Sequence, residues 1–581
     1  MKGLSLTLTT LLSVWCLSTG LAQSSEEALK PITRTYALKN ATIVVKPGQT
    51  ITNGTVVIKD GLIISAGQNV SIPADAKIIP ADSMFVYAGF IDALSNAGIP
   101  RPEVRPTAGG GPGGGGGGQG QRPQGVNPGS PPNDLAGIQP ELQARNLIKP
   151  SEKSIEDLRK LGFTNAHVAP MGRMLPGSSA LISLGGTATD NMVLKDNYAM
   201  ISQLVGAQGL YPNTVIAVMS KFRELYKQAE QAKAHEKMYA ANPAGMSRPE
   251  VDRSLQAFYP VIDKQRPICF VAPDLKSVYR VLALQQELKF PLILGGLRQA
   301  WPLADQLKAQ NIPLILSLDL PKMEKKEPAK KDSTAAKDPE LERLEKRRAD
   351  EMKLYESQAA TFAGKSINFG FSTMNAKTAD IREALRRMVK AGLKEDQALA
   401  ALTTTPAAMF GVAQSLGTVE KGKIANLVVS KKPYFDEKSQ IRYVFVDGTI
   451  YEFEAEAAAR PGAGGGPAGA RGGAAPTDLS KFLGKWNYEI DAQGTVYKGT
   501  LSLIDDGGKI GGSWTGADGQ SKSLTNPALK GNDMTFSSTV NMGQELPLDF
   551  AITFDGTKFS GKVKVGDFGA FPIEGSKEPR D

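Results

Sequence analysis

Three short apolar segments near the start of the chain alternate with polar positions, and this pattern predicts β-strands. Turn residues such as Asp60 and Gly61 separate them. The predicted strands span 41–45, 54–59 and 62–66.

Between about residues 86 and 411 the pattern changes, and apolar strand segments alternate with amphipathic helices. This alternation is typical of βα units around a parallel sheet. The clearest predicted helix spans 380–391, where apolar residues recur every three or four positions. Thr378 is a candidate N-cap for this helix, and Gly392 follows its end.

A Gly/Ala/Pro-rich linker at 457–476 separates this region from residues 477–581, which have the pattern of short antiparallel strands. The segment has the size of a lipocalin-like barrel or sandwich. We expect its residues Trp486 and Trp514 to lie in the core, and an exposed aromatic face that binds a ligand is the alternative.

The length of 581 residues indicates two or three domains. The net charge of +9 comes from dispersed Lys and Arg mixed with acids, so we expect no nucleic-acid partner. Residues 1–22 have the basic start, short apolar core and small final residues of a cleaved signal peptide, and we expect no transmembrane span. We therefore predict a periplasmic or secreted protein. The mature chain keeps one cysteine, Cys269, in an apolar run where a buried, inert thiol is expected.

The run Gly89-Phe-Ile-Asp-Ala-Leu-Ser-Asn96 resembles the first barrel strand of the amidohydrolase superfamily, where Gly-x-Ile-Asp leads into a His-x-His metal pair. Residues 402–412 and 416–429 are similar to the closing motifs of imidazolonepropionase- and dihydroorotase-like hydrolases, and 444–450 is similar to their final strand pair. The chain is thus identified as a member of this superfamily.

The resemblance implies an α/β fold: a TIM-like (β/α)8 barrel at 86–411 and a small discontinuous β-sandwich. The sandwich would be built from residues 32–85 and 412–456. Two insertions interrupt the barrel, a Gly-rich tract at 107–130 and a charged tract at 322–357. We expect a flexible coil for the first and an exposed, solvated helix for the second. Both follow predicted strands, so they would lie at the C-terminal face, where barrel active sites open.

The resemblance also implies a centre of Zn or another divalent metal, held by four histidines and an aspartate. In this chain the corresponding positions carry no histidine: Leu94 and Asn96 for the first pair, Val271, Gly295 (or the adjacent Leu294), and Ser372 for the aspartate. The usually acidic residue of the closing motif is Asn426. We therefore predict no metal and no cofactor.

The chain has two histidines, His167 and His235. The polar surroundings of His235 indicate an exposed helix face. His167 lies at the end of a predicted barrel strand, where a satisfied structural histidine and a pocket residue are the two interpretations. The candidate pocket residues are Asp92, Asn96, His167, Arg298 and Ser372.

Two hypotheses for the function follow. The first is an exported pseudoenzyme without the metal site, which binds a ligand or an active homologous subunit. The partner would be a second copy of the chain or an amidohydrolase homologue with an intact metal site. The second is an active hydrolase of carbon–nitrogen bonds in amides or dipeptides, which uses an unorthodox site with Asp92 as its base.

Overall fold

The computed structural model describes ten segments, which contain all the residues discussed below. They are 34–100, 126–322, 339–453, 479–492, 495–505, 510–516, 521–530, 532–541, 545–565 and 569–578. The chain divides into two compact units between residues 459 and 460. The predicted signal peptide, most of the Gly-rich tract and the predicted linker lie outside the described residues.

Five strands open the first unit and include the three that the sequence predicts. They are β1 (Tyr36–Lys46), β2 (Gln49–Lys59), β3 (Leu62–Gly67), β4 (Lys77–Pro80) and β5 (Phe85–Ala88).

Ten further strands form the second sheet of this unit. They are β6 (Phe90–Ser95), β7 (Phe163–Val168), β8 (Gly177–Ser178), β9 (Ala180–Ser183), β10 (Val193–Lys195), β11 (Met200–Gln203), β12 (Ile268–Val271), β13 (Leu292–Leu297), β14 (Leu314–Ser317) and β15 (Phe369–Ser372).

Helices lie between or after these strands. They are α1 (Asn133–Ala136), α2 (Lys153–Lys160), α3 (Thr189–Met192), α4 (Val215–Ala241), α5 (Arg253–Gln256), α6 (Tyr259–Ile262), α7 (Leu275–Leu288), α8 (Ala304–Ala309), α9 (Pro339–Gly364), α10 (Ile381–Lys390), α11 (Glu395–Leu402) and α12 (Thr404–Met409). Short 3₁₀ turns add 144–146, 301–303, 378–380 and 479–481. Within the described segments, no helix is long and apolar enough to span a membrane.

The second sheet curls into a ring of eight strand positions. β6 pairs with β7 on one side and β15 on the other, and β11 to β15 follow in parallel order. The segment 177–183, which contains β8 and β9, pairs with β7 along one edge and with β11 along the other. This coarse fold agrees with the predicted TIM-like barrel.

One strand position departs from the all-parallel prediction. The segment 177–183 runs antiparallel to both of its neighbours. The chain returns from β7 through a loop of eight residues without a helix, and so short a connection permits only an antiparallel return.

The strands that flank the barrel in sequence form one eight-stranded sheet. β16 (Leu427–Ser430), β17 (Ile441–Val446) and β18 (Thr449–Glu452) return from the barrel, and β16 pairs with β5. Alternate residues of β16 point to opposite sides: Leu427 and Val429 join the core of this sheet, and Val428 packs into the barrel core. The sheet is therefore assembled from both flanks, as the resemblance implies, and its strands are hydrogen-bonded as a single sheet.

Two helices predicted from the sequence differ in detail from the observed α9 and α10. Residues 323–338 of the charged tract lie outside the described residues, and residues 339–357 belong to α9, which precedes β15. In the last turns of α9 the side chains of Ala359 and Phe362 are buried. The first half of the helix is largely exposed, as predicted. Helix α10 confirms the predicted helix within one residue at each end, but Thr378 opens a 3₁₀ turn and Asp380 is the residue before the helix.

The second unit is all-β, as predicted. Its strands are β19 (Gly484–Ala492), β20 (Thr495–Asp505), β21 (Ile510–Thr515), β22 (Ser521–Ser523), β23 (Thr525–Lys530), β24 (Asp533–Asn541), β25 (Glu545–Asp555), β26 (Lys558–Val565) and β27 (Gly569–Lys577). All the pairs are antiparallel, and the two ends of the sheet approach each other where Lys522 donates to Thr539 at 3.2 Å. Trp486 and Trp514 are buried in its core, which confirms that interpretation.

A polar network, in which Asn165, Ser183 and Asn426 are buried, joins the eight-stranded sheet to the barrel. The Asn426 Nδ2 donates to Asn165 Oδ1 of β7 at 2.8 Å, and Asn426 Oδ1 accepts from the backbone N–H of Asp447 at 2.6 Å. Asp447 in turn accepts from Ser183 at 2.5 Å. Burial raises the pKa of Asp447, and the hydrogen bond from Ser183 opposes that rise.

We predict that Asn426→Ala lowers the free energy of unfolding by about 1–3 kcal/mol, because it removes the buried hydrogen bond to Asn165 and leaves the backbone N–H of Asp447 without its acceptor. Denaturant unfolding measures this loss. Lys431→Ala is the control, because Lys431 is exposed and directly follows β16. It should change stability by less than about 0.5 kcal/mol. Equal effects of the two substitutions would contradict the network's role.

Candidate functional site

The positions where the resemblance places metal ligands meet inside the barrel. Leu94 and Ser372 are register partners on β6 and β15. Val271 and Gly295 are register partners on β12 and β13. Asn96 follows β6 directly. The strand assignment of these positions from sequence is therefore consistent with the structure.

The side chain of Leu94 occupies the space between these strands. A Cβ atom built on Gly295 would lie 2.8 Å from Leu94 Cδ2 and 3.1 Å from Cys269 Sγ. The absence of a side chain at Gly295 is therefore what makes room for Leu94. Leu94 and Cys269 belong to an apolar cluster of the barrel interior, whose buried members include Ile91, Ala93, Leu94, Ala169, Leu181, Ala199, Ile201, Cys269, Ile293, Ile315, Ala407, Phe410 and Leu416.

The thiol of Cys269 belongs to this cluster as a small apolar group. It is fully buried, and burial raises its pKa to about 12. A thiol with that pKa stays protonated at neutral pH, whereas nucleophiles and metal ligands are thiolates. This agrees with the inert thiol that the sequence predicts.

The residues at these positions do not fit a divalent metal centre. Leu94 and Val271 present alkyl groups, and Gly295 presents none. The Ser372 hydroxyl donates to the backbone carbonyl of Leu94 at 2.6 Å, and Asn96 Nδ2 donates to the carbonyl of Ala169 at 2.8 Å. Zinc in proteins takes His, Cys and carboxylate ligands. Across the described segments, no group of three or more His, Cys, Asp and Glu residues could hold a metal ion.

Asp92 is fully buried and surrounded by donors. Its carboxylate accepts from the backbone N–H groups of Leu94 at 3.2 Å and Thr373 at 3.1 Å. The Thr373 hydroxyl donates to the second carboxylate oxygen, and Ser95 is also a hydrogen-bond partner. Burial raises the pKa of Asp92 to about 7, while these hydrogen bonds lower it. Asp92 thus connects β6 to the end of β15.

His167 is also fully buried, and both ring nitrogens have partners. Nδ1 lies 2.8 Å from the carbonyl oxygen of Ala93, and Nε2 lies 2.7 Å from Ser179 Oγ. Burial lowers the pKa of His167 to about 4, so the ring is neutral near pH 7, although the hydrogen bond to Ala93 raises the pKa somewhat. A neutral ring must donate from Nδ1, because a carbonyl accepts only, and it must accept from Ser179 at Nε2. The ring contacts Tyr198 and Phe410 at centroid distances of 5.3 and 4.9 Å.

Arg298 lies apart from the other candidate residues. It follows β13, and its guanidinium is 3.4 Å from the carboxylate of Asp319, which follows β14. Both side chains are 36% exposed, so they lie at the rim of the C-terminal face. His235 lies on α4 and is half-buried.

The structure therefore brings together Asp92, His167 and Ser372, but as buried groups bonded to the barrel backbone. Asn96 lies next to them, and Arg298 does not join them. The sequence interpretation missed Thr373, Ser95 and Ser179, which supply the hydrogen bonds to Asp92 and His167. The pair of hydroxyl residues at 372–373, where a strand ends, was the available signal for Thr373. Nothing in the sequence indicates Ser179.

The comparisons with known proteins agree with this fold. Residues 340–451 match the model of the amidohydrolase family. The chain is similar in structure to an amidohydrolase from Thermotoga maritima, with a TM-score of 0.56 and 19% identity over 72% of this chain and 100% of that one. A comparison with curated proteins gave no match.

Two weaker structural likenesses have TM-scores below 0.5. One is to a putative prolidase from Bifidobacterium longum, with a TM-score of 0.42 and 17% identity over 72% of this chain and 95% of that one. The other is to Escherichia coli guanine deaminase, with a TM-score of 0.37 and 12% identity over 72% of this chain and 99% of that one.

We predict that Gly295→Ala lowers the free energy of unfolding by about 1–3 kcal/mol, because the new methyl group overlaps Leu94. Leu94→Ala should cost about 2–5 kcal/mol through the cavity that it leaves. The double variant should lose at least about 0.5 kcal/mol less than the sum, because each change relieves the other. Denaturant unfolding of the three variants measures this coupling, and strictly additive losses would show that the two side-chain positions do not share one space.

We predict opposite effects of His167 and Asp92 on the pH dependence of stability. Since the folded pKa of His167 is lowered, its stabilisation is present above pH 6.5 and is lost as the pH falls through about 4. Since the folded pKa of Asp92 is raised, its contribution is present below pH 3.8 and is lost as the pH rises through about 7.

Between about pH 4 and 6.5 the two slopes oppose each other. Relative to the unsubstituted chain, His167→Gln should make stability fall more steeply with rising pH, and Asp92→Asn should make it rise more steeply. Each change in slope should approach about 1.4 kcal/mol per pH unit, the value for one proton. Urea unfolding at several pH values measures both slopes, and changes of the same sign in the two variants would refute the assignment.

Proposed function

We propose that this chain, which belongs to the amidohydrolase superfamily, is an exported, non-catalytic member that binds a ligand or an active homologous subunit. The observation that carries the proposal is the contact of Leu94 with Gly295 inside the barrel. An alkyl side chain lies between the strand positions where the family would hold its metal.

The chemistry of the family explains why this contact matters. A bound divalent ion lowers the pKa of water enough to supply hydroxide near neutral pH, and it polarises the scissile carbonyl. That role requires several ionised or imidazole ligands around an accessible, polar space. The described interior offers an apolar cluster instead, with His167 and Asp92 fully bonded to their neighbours. These observations support a protein that has the barrel fold of the hydrolases and a function other than hydrolysis.

The alternative function is a hydrolase of carbon–nitrogen bonds that uses Asp92 as a general base. One observation favours it, since a carboxyl group with a pKa of about 7 suits acid–base chemistry at neutral pH. Against it, a base must reach the water or substrate proton, and Asp92 is fully buried and surrounded by hydrogen-bond donors. We therefore infer a structural role for this carboxyl group.

The export proposed here is based on the signal-peptide pattern of residues 1–22. Outside the cytoplasm, an active homologue with intact ligands would be the partner of a heteromer, and a second copy of this chain would be the partner of a homo-oligomer. The mass of the complex that the protein forms in periplasmic or culture-medium extract distinguishes these two partners.

We predict that the mature protein, purified from metal-replete medium, contains Zn, Mn and Fe far below one ion per chain. It should also show no turnover on a panel of amides and dipeptides. Elemental analysis by mass spectrometry and product detection by chromatography measure both. A homologue of the family with its His-x-His pair intact is the positive control, prepared in the same way.

The variant Asp92→Asn separates the two functions. If turnover is observed and Asp92→Asn removes it while thermal unfolding still shows a folded protein, the hydrolase alternative is correct. Stoichiometric metal in the unsubstituted protein would also overturn the non-catalytic proposal.

A further inference from the structure

A cleft opens at the N-terminal face of the barrel, opposite the face where active sites of this fold lie. It lies below the starts of β13, β14 and β15, between the end of α8 and the helices α11 and α12. Its volume is about 740 Å³, which is within the range of small-molecule sites. Residues at the N-terminal face of a barrel usually contribute to stability and not to binding. A cleft of this size at that face is therefore unusual.

The floor of the cleft is apolar and reaches the barrel interior. Ile293 and Ile367 are buried in it, and Met409 and Tyr198 form its inner wall. The Tyr198 hydroxyl donates to the Met409 carbonyl at 2.8 Å, which fixes the ring against α12. The same ring contacts Phe410 at a centroid distance of 5.2 Å. The floor is therefore held in place by contacts that do not depend on a ligand.

The rim of the cleft carries polar side chains that have no hydrogen-bond or ion-pair partner within the described part of the chain. They are Lys308, Asn311, Asn368, Thr404 and Thr405. Among the described residues that line the cleft, Lys308 alone carries a charge. An apolar floor with a few convergent polar groups is the usual composition of a small-molecule site.

We propose that this cleft binds a small monocarboxylate with an apolar body. The carboxylate would pair with the Lys308 ammonium and accept from the neighbouring amide and hydroxyl groups, and the apolar body would cover Ile293, Ile367 and Met409. The single cation selects one negative charge, since a second carboxylate would find no counter-charge there. This inference is independent of the proposed function, because the cleft opens at the face opposite the degenerate metal positions, although Ile293 belongs both to its floor and to the Leu94 cluster.

The test is titration calorimetry of the full mature chain with octanoate and, separately, with 1-octanol. We expect saturable binding of one octanoate per chain, about tenfold tighter than 1-octanol, since one charge-assisted contact is worth about that factor. Lys308→Met should weaken octanoate to the level of 1-octanol and leave 1-octanol unchanged. Ala408→Trp, at an exposed lining position on α12, should fill the cleft and abolish both.

Lys276→Met is the matched control, since Lys276 is an exposed lysine on α7 outside the cleft. It should bind both probes like the unsubstituted chain. Equal affinity for octanoate and 1-octanol, octanoate binding that survives Lys308→Met, or the absence of saturable binding would each overturn the proposal. Because Lys308 is exposed, its variant reports on the proposal even if Ala408→Trp destabilises the fold.

Discussion

The contact on which the barrel depends is the closure of its sheet between β6 and β15. These strands share a single register pair, Leu94 with Ser372. Side chains supply much of the remaining connection: the Ser372 hydroxyl donates to the Leu94 carbonyl, and Asp92 accepts from both the backbone and the hydroxyl of Thr373. A parallel pair with so short a ladder depends on such buried side-chain hydrogen bonds. The polar residues at this position therefore explain how the ring of strands is completed.

This closure changes the interpretation of the candidate site. Asp92 and Ser372 have the residue types of a catalytic pocket, yet each is committed to the backbone of the neighbouring strand. His167 has the same character, since it connects β6 to Ser179 of the antiparallel segment. Between these polar connections, Leu94 fills the space that Gly295 leaves open. The polar groups and the apolar cluster are therefore two parts of one packed interior.

The sequence predicted the strands, the helix α10 and the β-strand unit at the C-terminus because these elements depend on local periodicity. It also predicted that the degenerate ligand positions share one region of the barrel, because strand ends are recognisable from the family motifs. It could not predict that Thr373 donates to the buried Asp92, since these two residues are about 280 positions apart. The antiparallel segment 177–183 was missed because its strands are short and the chain returns without a helix. The cleft at the N-terminal face was missed for a related reason, since its walls come from elements that are far apart in the sequence.

The barrel interior of this chain holds packed side chains at the positions where the superfamily holds a metal. The most direct test is a crystal of the mature protein soaked in zinc, with anomalous diffraction measured at the zinc absorption edge. We expect no anomalous peak inside the barrel, whatever ions bind at the surface. A peak within coordinating distance of Asp92, Asn96 or Ser372, with the Leu94 side chain displaced, would contradict it.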